Sequence, residues 1–160
     1  MILNRQREVR VERGPLELFL RRVKKELGLA KSDLAVCLVS DAEMARLNQD
    51  FRKKKGPTDV LSFPAFAGRR PARLALPKRR RPASEGGRYK SGIEGQYLGD
   101  IAISPATARR YAKKYERQLA TELRVLILHG ILHLLGYDHE TDHGEMDKTE
   151  QKLRKRLGLT

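Results

Sequence analysis

The sequence predicts an α+β fold: a single domain with a mixed β-sheet of about four strands and helices packed around one central helix. Three observations predict it. Short apolar runs alternate with stretches of helical periodicity in the order β-α-β-α-β, a basic loop, then β-α-α-α. The segment from Thr121 to Leu135 is apolar on nearly every side, as a helix buried all round must be. A chain of 160 residues also suits one compact domain that can bury a real core.

Each element has its own local signal. Glu8-Val-Arg-Val-Glu12 alternates and reads as a first strand. Pro15, favoured in a first turn, opens a helix whose apolar face is Leu16, Phe19, Leu20, Val23 and Leu27, and Gly28 stops it. Leu34 to Ser40 reads as a buried strand, and Ser40 or Asp41 caps a helix carrying Met44, Leu47 and Phe51. Val60-Leu-Ser-Phe-Pro64 is a strand that Pro64 ends or confines to an edge. Leu98 to Ser104 returns to strand pattern, and Ser104-Pro105 caps and starts a helix through Arg110 and Lys114. A final amphipathic helix runs from about Asp142 to Leu157, with Met146, Leu153 and Leu157 inward.

Composition narrows the function. No run of about 18 apolar residues is present, and none is expected to span a membrane. The N-terminus lacks an apolar stretch followed by a small-residue cleavage site, so no secretory signal is expected. The single cysteine, Cys37, lies in an apolar strand and reads as a small buried residue; a cytoplasmic location fits. The net charge of +14 favours a polyanionic partner, whether nucleic acid, ribosome or anionic lipid. Residues 67–97 read as a long basic insertion, in which nine cations against two carboxylates leave +7, half the excess of the whole chain. That insertion reads either as a phosphate-holding arm or as a solvated variable loop.

All four histidines fall between positions 129 and 143. His129 and His133 are four apart, so on a helix their side chains stack on one face and can aim nitrogens at one point. Gly136 stands where a left-handed residue would end that helix and turn the chain, bringing His139 back as a third ligand. Three protein ligands with a fourth position open is the pattern of a catalytic zinc site. His143, at the start of the last helix, reads as incidental surface. Zinc proteases of the helical type carry Glu directly after the first His, but here that position is Gly130, which cannot move a proton; a peptidase is not expected. The chemistry must then lean on the metal, which lowers the pKa of bound water toward ~7.

His129-Gly-Ile-Leu-His-Leu-Leu-Gly-Tyr-Asp-His139 closely resembles the signature of the YbeY family, endoribonucleases also called rRNA maturation factors. Asn48-Gln-Asp-Phe-Arg52, Pro57-Thr-Asp-Val-Leu-Ser-Phe-Pro64 and Leu98-Gly-Asp-Ile101 resemble its other motifs, in the same order. The resemblance implies a metal-dependent, single-strand-specific endoribonuclease that matures the 3′ end of small-subunit ribosomal RNA and takes part in ribosome biogenesis and quality control. It implies one zinc ion on His129, His133 and His139, with Arg52 and His129 as catalytic residues and Ser62 at the same cleft near the substrate. Ribosomal RNA, and with it ribosome-associated proteins, are the implied partners. Asp138 would either orient a ligand histidine or cap the turn. The chain departs from the family at 67–97, where the family segment is short and often acidic. Two other readings compete: a metalloenzyme on another substrate, and a ribosome-associated assembly factor with a mainly structural zinc.

Overall fold

A computed structural model describes residues 1–65 and 96–159. The elements run β1 (Ile2–Asn4), α1 (Arg13–Glu26), β2 (Asp33–Leu38), α2 (Asp41–Arg52), β3 (Val60–Pro64), β4 (Tyr97–Ile103), α3 (Pro105–Lys114), α4 (Leu119–Leu134) and α5 (Glu145–Leu157). The four strands form one sheet in the order β1-β2-β4-β3, with β1, β2 and β4 parallel and β3 antiparallel on the β4 edge. The expected mixed-sheet α+β architecture is therefore present. Most of the basic insertion expected at 67–97 lies outside the described residues; its last residue, Tyr97, opens β4.

The sheet separates two apolar clusters. On one face Leu34, Val36, Leu38, Ile101 and Ile103 pack with residues of α1, α4 and α5, among them Leu20, Ile127, Leu128, Ile131 and Leu157. On the other, Ala35, Cys37, Val39, Leu61 and Ala102 pack under Met44 and Leu47 of α2. Both faces of β2 and β4 are covered, which is why these strands read as unbroken apolar runs. Burial pushes the Cys37 thiol up to about 11, so it is an inert core group.

The first strand lies earlier than the alternation of Glu8–Glu12 predicts. Ile2, Leu3 and Asn4 pair with Val36, Cys37 and Leu38, whereas Val9 sits in a bend. The reason is Gln6, a buried side chain whose amide donates to the Val9 carbonyl and accepts from the Val9 N–H, both at 2.9 Å. Those two bonds satisfy the groups a strand partner would otherwise take. The last helix also begins three residues later than its pattern suggests. Asp142 stands outside it, two residues before the N-cap Gly144, and accepts from the N–H groups of Gly144 (2.9 Å) and Met146 (2.7 Å), so it satisfies a donor of the first turn. The caps expected at Ser40 and Ser104 are present, accepting from Glu43 N–H at 3.1 Å and Thr107 N–H at 3.3 Å.

Two glycines let the site-bearing elements close on each other. Gly99 has φ +140°, and a Cβ there would stand 2.3 Å from the Phe63 carbonyl oxygen, so the β3–β4 pairing admits only glycine. Gly130 brings α4 down onto β4: a Cβ would meet the Ile101 side chain at 2.8–2.9 Å. Gly130→Ala is expected to destabilise the fold by about 2 kcal/mol through overpacking. Denaturant unfolding should show a lower midpoint, partly restored when Ile101→Val removes one contacting methyl. An unchanged midpoint would mean that the helix does not sit this tightly on the sheet.

Candidate metal centre

α4 carries His129 and His133 one turn apart toward its C-terminal end. The helix then stops in the manner predicted. Gly136 has φ +95°, its N–H donates to the His133 carbonyl at 3.0 Å, and the Tyr137 N–H donates to the Leu132 carbonyl at 3.1 Å. This pair of bonds is a Schellman closure, which reverses the chain and satisfies the Leu132 and His133 carbonyls. The reversal returns His139 to the first two histidines. One nitrogen from each of the three rings lies within 4.8 Å of the other two, and the Nε2 atoms of His129 and His133 are 3.1 Å apart.

The donor set fits a divalent cation. Burial, with repulsion from His129 and His139, holds His133 below the usual histidine range, so its ring stays neutral and keeps a lone pair. Among the described residues these three histidines are the one His/Cys/Asp/Glu group close enough together to hold an ion.

Glu150, one turn inside α5, is the neighbour of the histidines that sequence reasoning missed. Its Oε2 lies 2.9 Å from His129 Nδ1, and its Oε1 accepts from Arg154 Nη2 at 2.5 Å. Glu150 is 6% exposed, and burial pushes its carboxyl up, but the hydrogen bonds from His129 and Arg154 outweigh this and leave it below the ordinary range. A carboxylate accepting from Nδ1–H fixes the His129 tautomer and presents Nε2 as the ligand atom. The only sequence signal was a glutamate four residues before an arginine, indistinguishable from an ordinary helix pair. Glu150→Gln is expected to weaken metal binding by about 10–100-fold with the fold intact, as read by competition with a chelating dye. Unaltered affinity would show that the His129 ring needs no such orientation.

The histidines border a cleft of about 1070 Å³ that also takes in Phe51, Arg52, Ser62 and Phe63. Arg52 stands at the end of α2, its Nη2 3.2 Å from Glu140 Oε1 across the opening, and both side chains are exposed. Ser62 projects from β3 toward α4 and donates to the Gly130 carbonyl at 3.2 Å, while Leu61 and Phe63 face the α2 cluster. Every predicted site residue therefore reaches one cleft. Asp138 caps the turn: its carboxylate accepts from the Glu140 N–H at 3.0 Å and its carbonyl from the Asp142 N–H at 3.0 Å. His143 is exposed, as expected.

Fold and site together define a class, a mixed-sheet α+β protein with a three-histidine cation-binding geometry in a cleft lined by Arg52 and by the carboxylates Asp59, Asp138 and Glu140. The chain belongs to the YbeY family, whose model, described as Endoribonuclease YbeY, matches residues 1–158. It is 39% identical over 149 residues to Endoribonuclease YbeY of Solibacter usitatus, covering 93% of this chain and 82% of that one. The Koribacter versatilis protein of the same name is 38% identical over 159 residues, covering 99% and 86%. The solution structure of TM1509 from Thermotoga maritima is similar with a TM-score of 0.57 and 27% identity, covering 98% of this chain and 89% of that one. Among the described residues no helix is long and apolar enough to cross a membrane.

Proposed function

We propose that the protein is a metal-dependent endoribonuclease specific for single-stranded RNA, acting in the cytoplasm in maturation of the 3′ end of small-subunit ribosomal RNA and in ribosome quality control. The observation that carries this reading is the convergence of His129, His133 and His139 on one point beside Arg52, in a chain of net charge +14. Three imidazoles suit zinc, and no fourth His, Cys, Asp or Glu joins the group among the described residues. The nearest carboxylate, Glu150, is already engaged by His129 and Arg154, which speaks against a closed structural site.

A zinc ion held by His129, His133 and His139 would supply Lewis-acid activation of water and of a phosphoryl oxygen. The remaining work falls to side chains. Arg52 can hold two non-bridging phosphate oxygens with its planar fork and stabilise the charge that grows on them during cleavage. In the free protein that fork rests on Glu140, an exposed partner that a phosphate can displace. Ser62 gives its hydrogen to Gly130, so it braces the cleft wall against α4 and offers substrate a lone pair. The Glu150–Arg154 pair keeps the His129 ring in place while substrate binds.

The test is metal analysis of the purified protein together with cleavage of one RNA sequence, single-stranded and annealed to its complement. One zinc per chain and preferential cleavage of the single strand are expected. Full metal content with no cleavage of either would favour a ribosome-associated assembly factor in which the zinc is mainly structural. The whole chain acts in this reading as one domain, and the basic insertion at 67–97 adds salt-sensitive affinity for RNA. Deleting residues 69–94 should flatten the dependence of RNA binding on salt. An unchanged slope would remove the insertion from the binding account and leave the metal site untouched.

A further inference from the structure

Phe51 continues the apolar stripe of α2, following Met44 and Leu47 at helical spacing, yet it does not join the core beneath them. It is 44% exposed, whereas Met44 and Leu47 are fully buried. The ring instead lines the cleft that holds the histidines. There it meets Phe63 of β3, with centroids 5.1 Å apart and planes at 75°. In an edge-to-face pair neither ring has both faces covered by the other, so planar surface remains for a third group. Phe63 is anchored in the smaller apolar cluster and gives the pair a fixed base. The four residues that follow Phe51, Arg52 to Lys55, are all cations and all exposed.

Aromatic surface directly beside a run of cations is the arrangement that binds single-stranded nucleic acid, with bases on the rings and phosphates on the charges. We propose that Phe51 is the stacking platform for one unpaired nucleobase beside the bond being cleaved, with the flanking sugar–phosphate chain carried along Arg52–Lys55. The proposal rests on the nuclease reading above and gives its strand selectivity a physical cause. A base inside a duplex has both faces taken by its neighbours, whereas an unpaired base can swing onto the ring. Every base has a π-face, so the platform selects single strands without selecting a sequence. The cleft of about 1070 Å³ exceeds the space one small ligand needs, leaving room for a nucleotide beside the metal-proximal phosphate.

The test combines Phe51 variants with RNAs that lack one base at each position around the cleavage site. Phe51→Ala and Phe51→Leu should each lower kcat/KM on intact single-stranded RNA about tenfold, and Phe51→Tyr should retain it. Phe51→Leu should melt with the parent protein, because a half-exposed apolar side chain of similar bulk replaces the ring; a role limited to packing would predict normal cleavage by this variant. At one position the abasic RNA should cost the parent protein the same factor and cost Phe51→Leu nothing further. Additive losses at every position, or normal kcat/KM for Phe51→Leu, overturn the platform. Binding of the same RNAs, followed by fluorescence anisotropy before cleavage sets in, separates the two readings. Coupling between Phe51 and one base in binding, with no cleavage by the parent protein, would uphold the platform and overturn the nuclease.

Discussion

His133→Ala is expected to empty the metal site and to lower RNA cleavage by at least about a hundredfold, while the protein stays folded. His133 is one corner of a near-equilateral set of three rings, its Nε2 3.1 Å from that of His129 and its ring centroid 5.2 Å from that of His139. Without it the remaining pair is His129 on the helix and an exposed His139 on the turn, too few ligands for a catalytic zinc. A bound metal supplies several kcal/mol of charge stabilisation in the transition state, and each 1.4 kcal/mol is a factor of ten, so two or more decades of rate depend on it. The fold does not depend on this ring. The last turn of α4 is held by Leu132 and Leu134 in the core and by the backbone–backbone bonds of the Gly136 closure, which the substitution keeps. Metal content by mass spectrometry, circular dichroism and cleavage of single-stranded RNA together decide the matter. A variant that keeps both its metal and its cleavage rate would remove His133 from the site.

Arg52→Ala should have the complementary signature, with metal content unchanged and cleavage slower by about a hundredfold. The guanidinium touches none of the three histidines, and its ion pair with Glu140 is exposed on both sides, so stability should change by less than about 1 kcal/mol. What is lost is a fixed donor pair aimed at charge that develops only during reaction; removing one such donor typically costs about 10²–10³ in rate. Arg52→Lys keeps the charge and loses the planar fork, so it should recover only part of the rate. Glu140→Ala frees Arg52 and is expected to leave cleavage intact or improve it. A slow Glu140 variant would mean that the carboxylate, rather than the arginine, serves the reaction.

The parts of this protein legible in its sequence are those encoded by local chemistry. The four-residue spacing of His129 and His133, with a glycine where the helix must turn, predicts a geometry that the Schellman closure at Gly136 realises. Ser40 and Ser104 announce their helices because capping acts within three residues. Reading failed where a side chain takes up backbone groups in place of a strand partner, and where a distant residue decides the outcome. Glu8–Glu12 alternates like a strand, but the buried Gln6 amide takes up the backbone groups of Val9, and the strand role passes to Ile2–Asn4. Gly130 reads as the absence of a protease base, whereas its structural cause is Ile101 beneath the helix. A glutamate at 130 would point into the sheet and away from the ligand atoms. Glu150 lies 21 residues from His129, on another helix, and nothing local marks it. Phe51 fits the core periodicity of α2, yet its ring lines the cleft and meets Phe63 of β3, a neighbour the helical spacing does not reveal.

The central claim is that the three histidines hold a metal ion on which RNA cleavage depends. Its most direct measurement is the cleavage rate of one single-stranded RNA by protein stripped with a chelator and then reloaded with zinc in fractional equivalents. Activity should vanish with the metal and return in proportion to zinc, reaching its plateau at one ion per chain. Cleavage that persists at the full rate in the stripped protein would contradict the account.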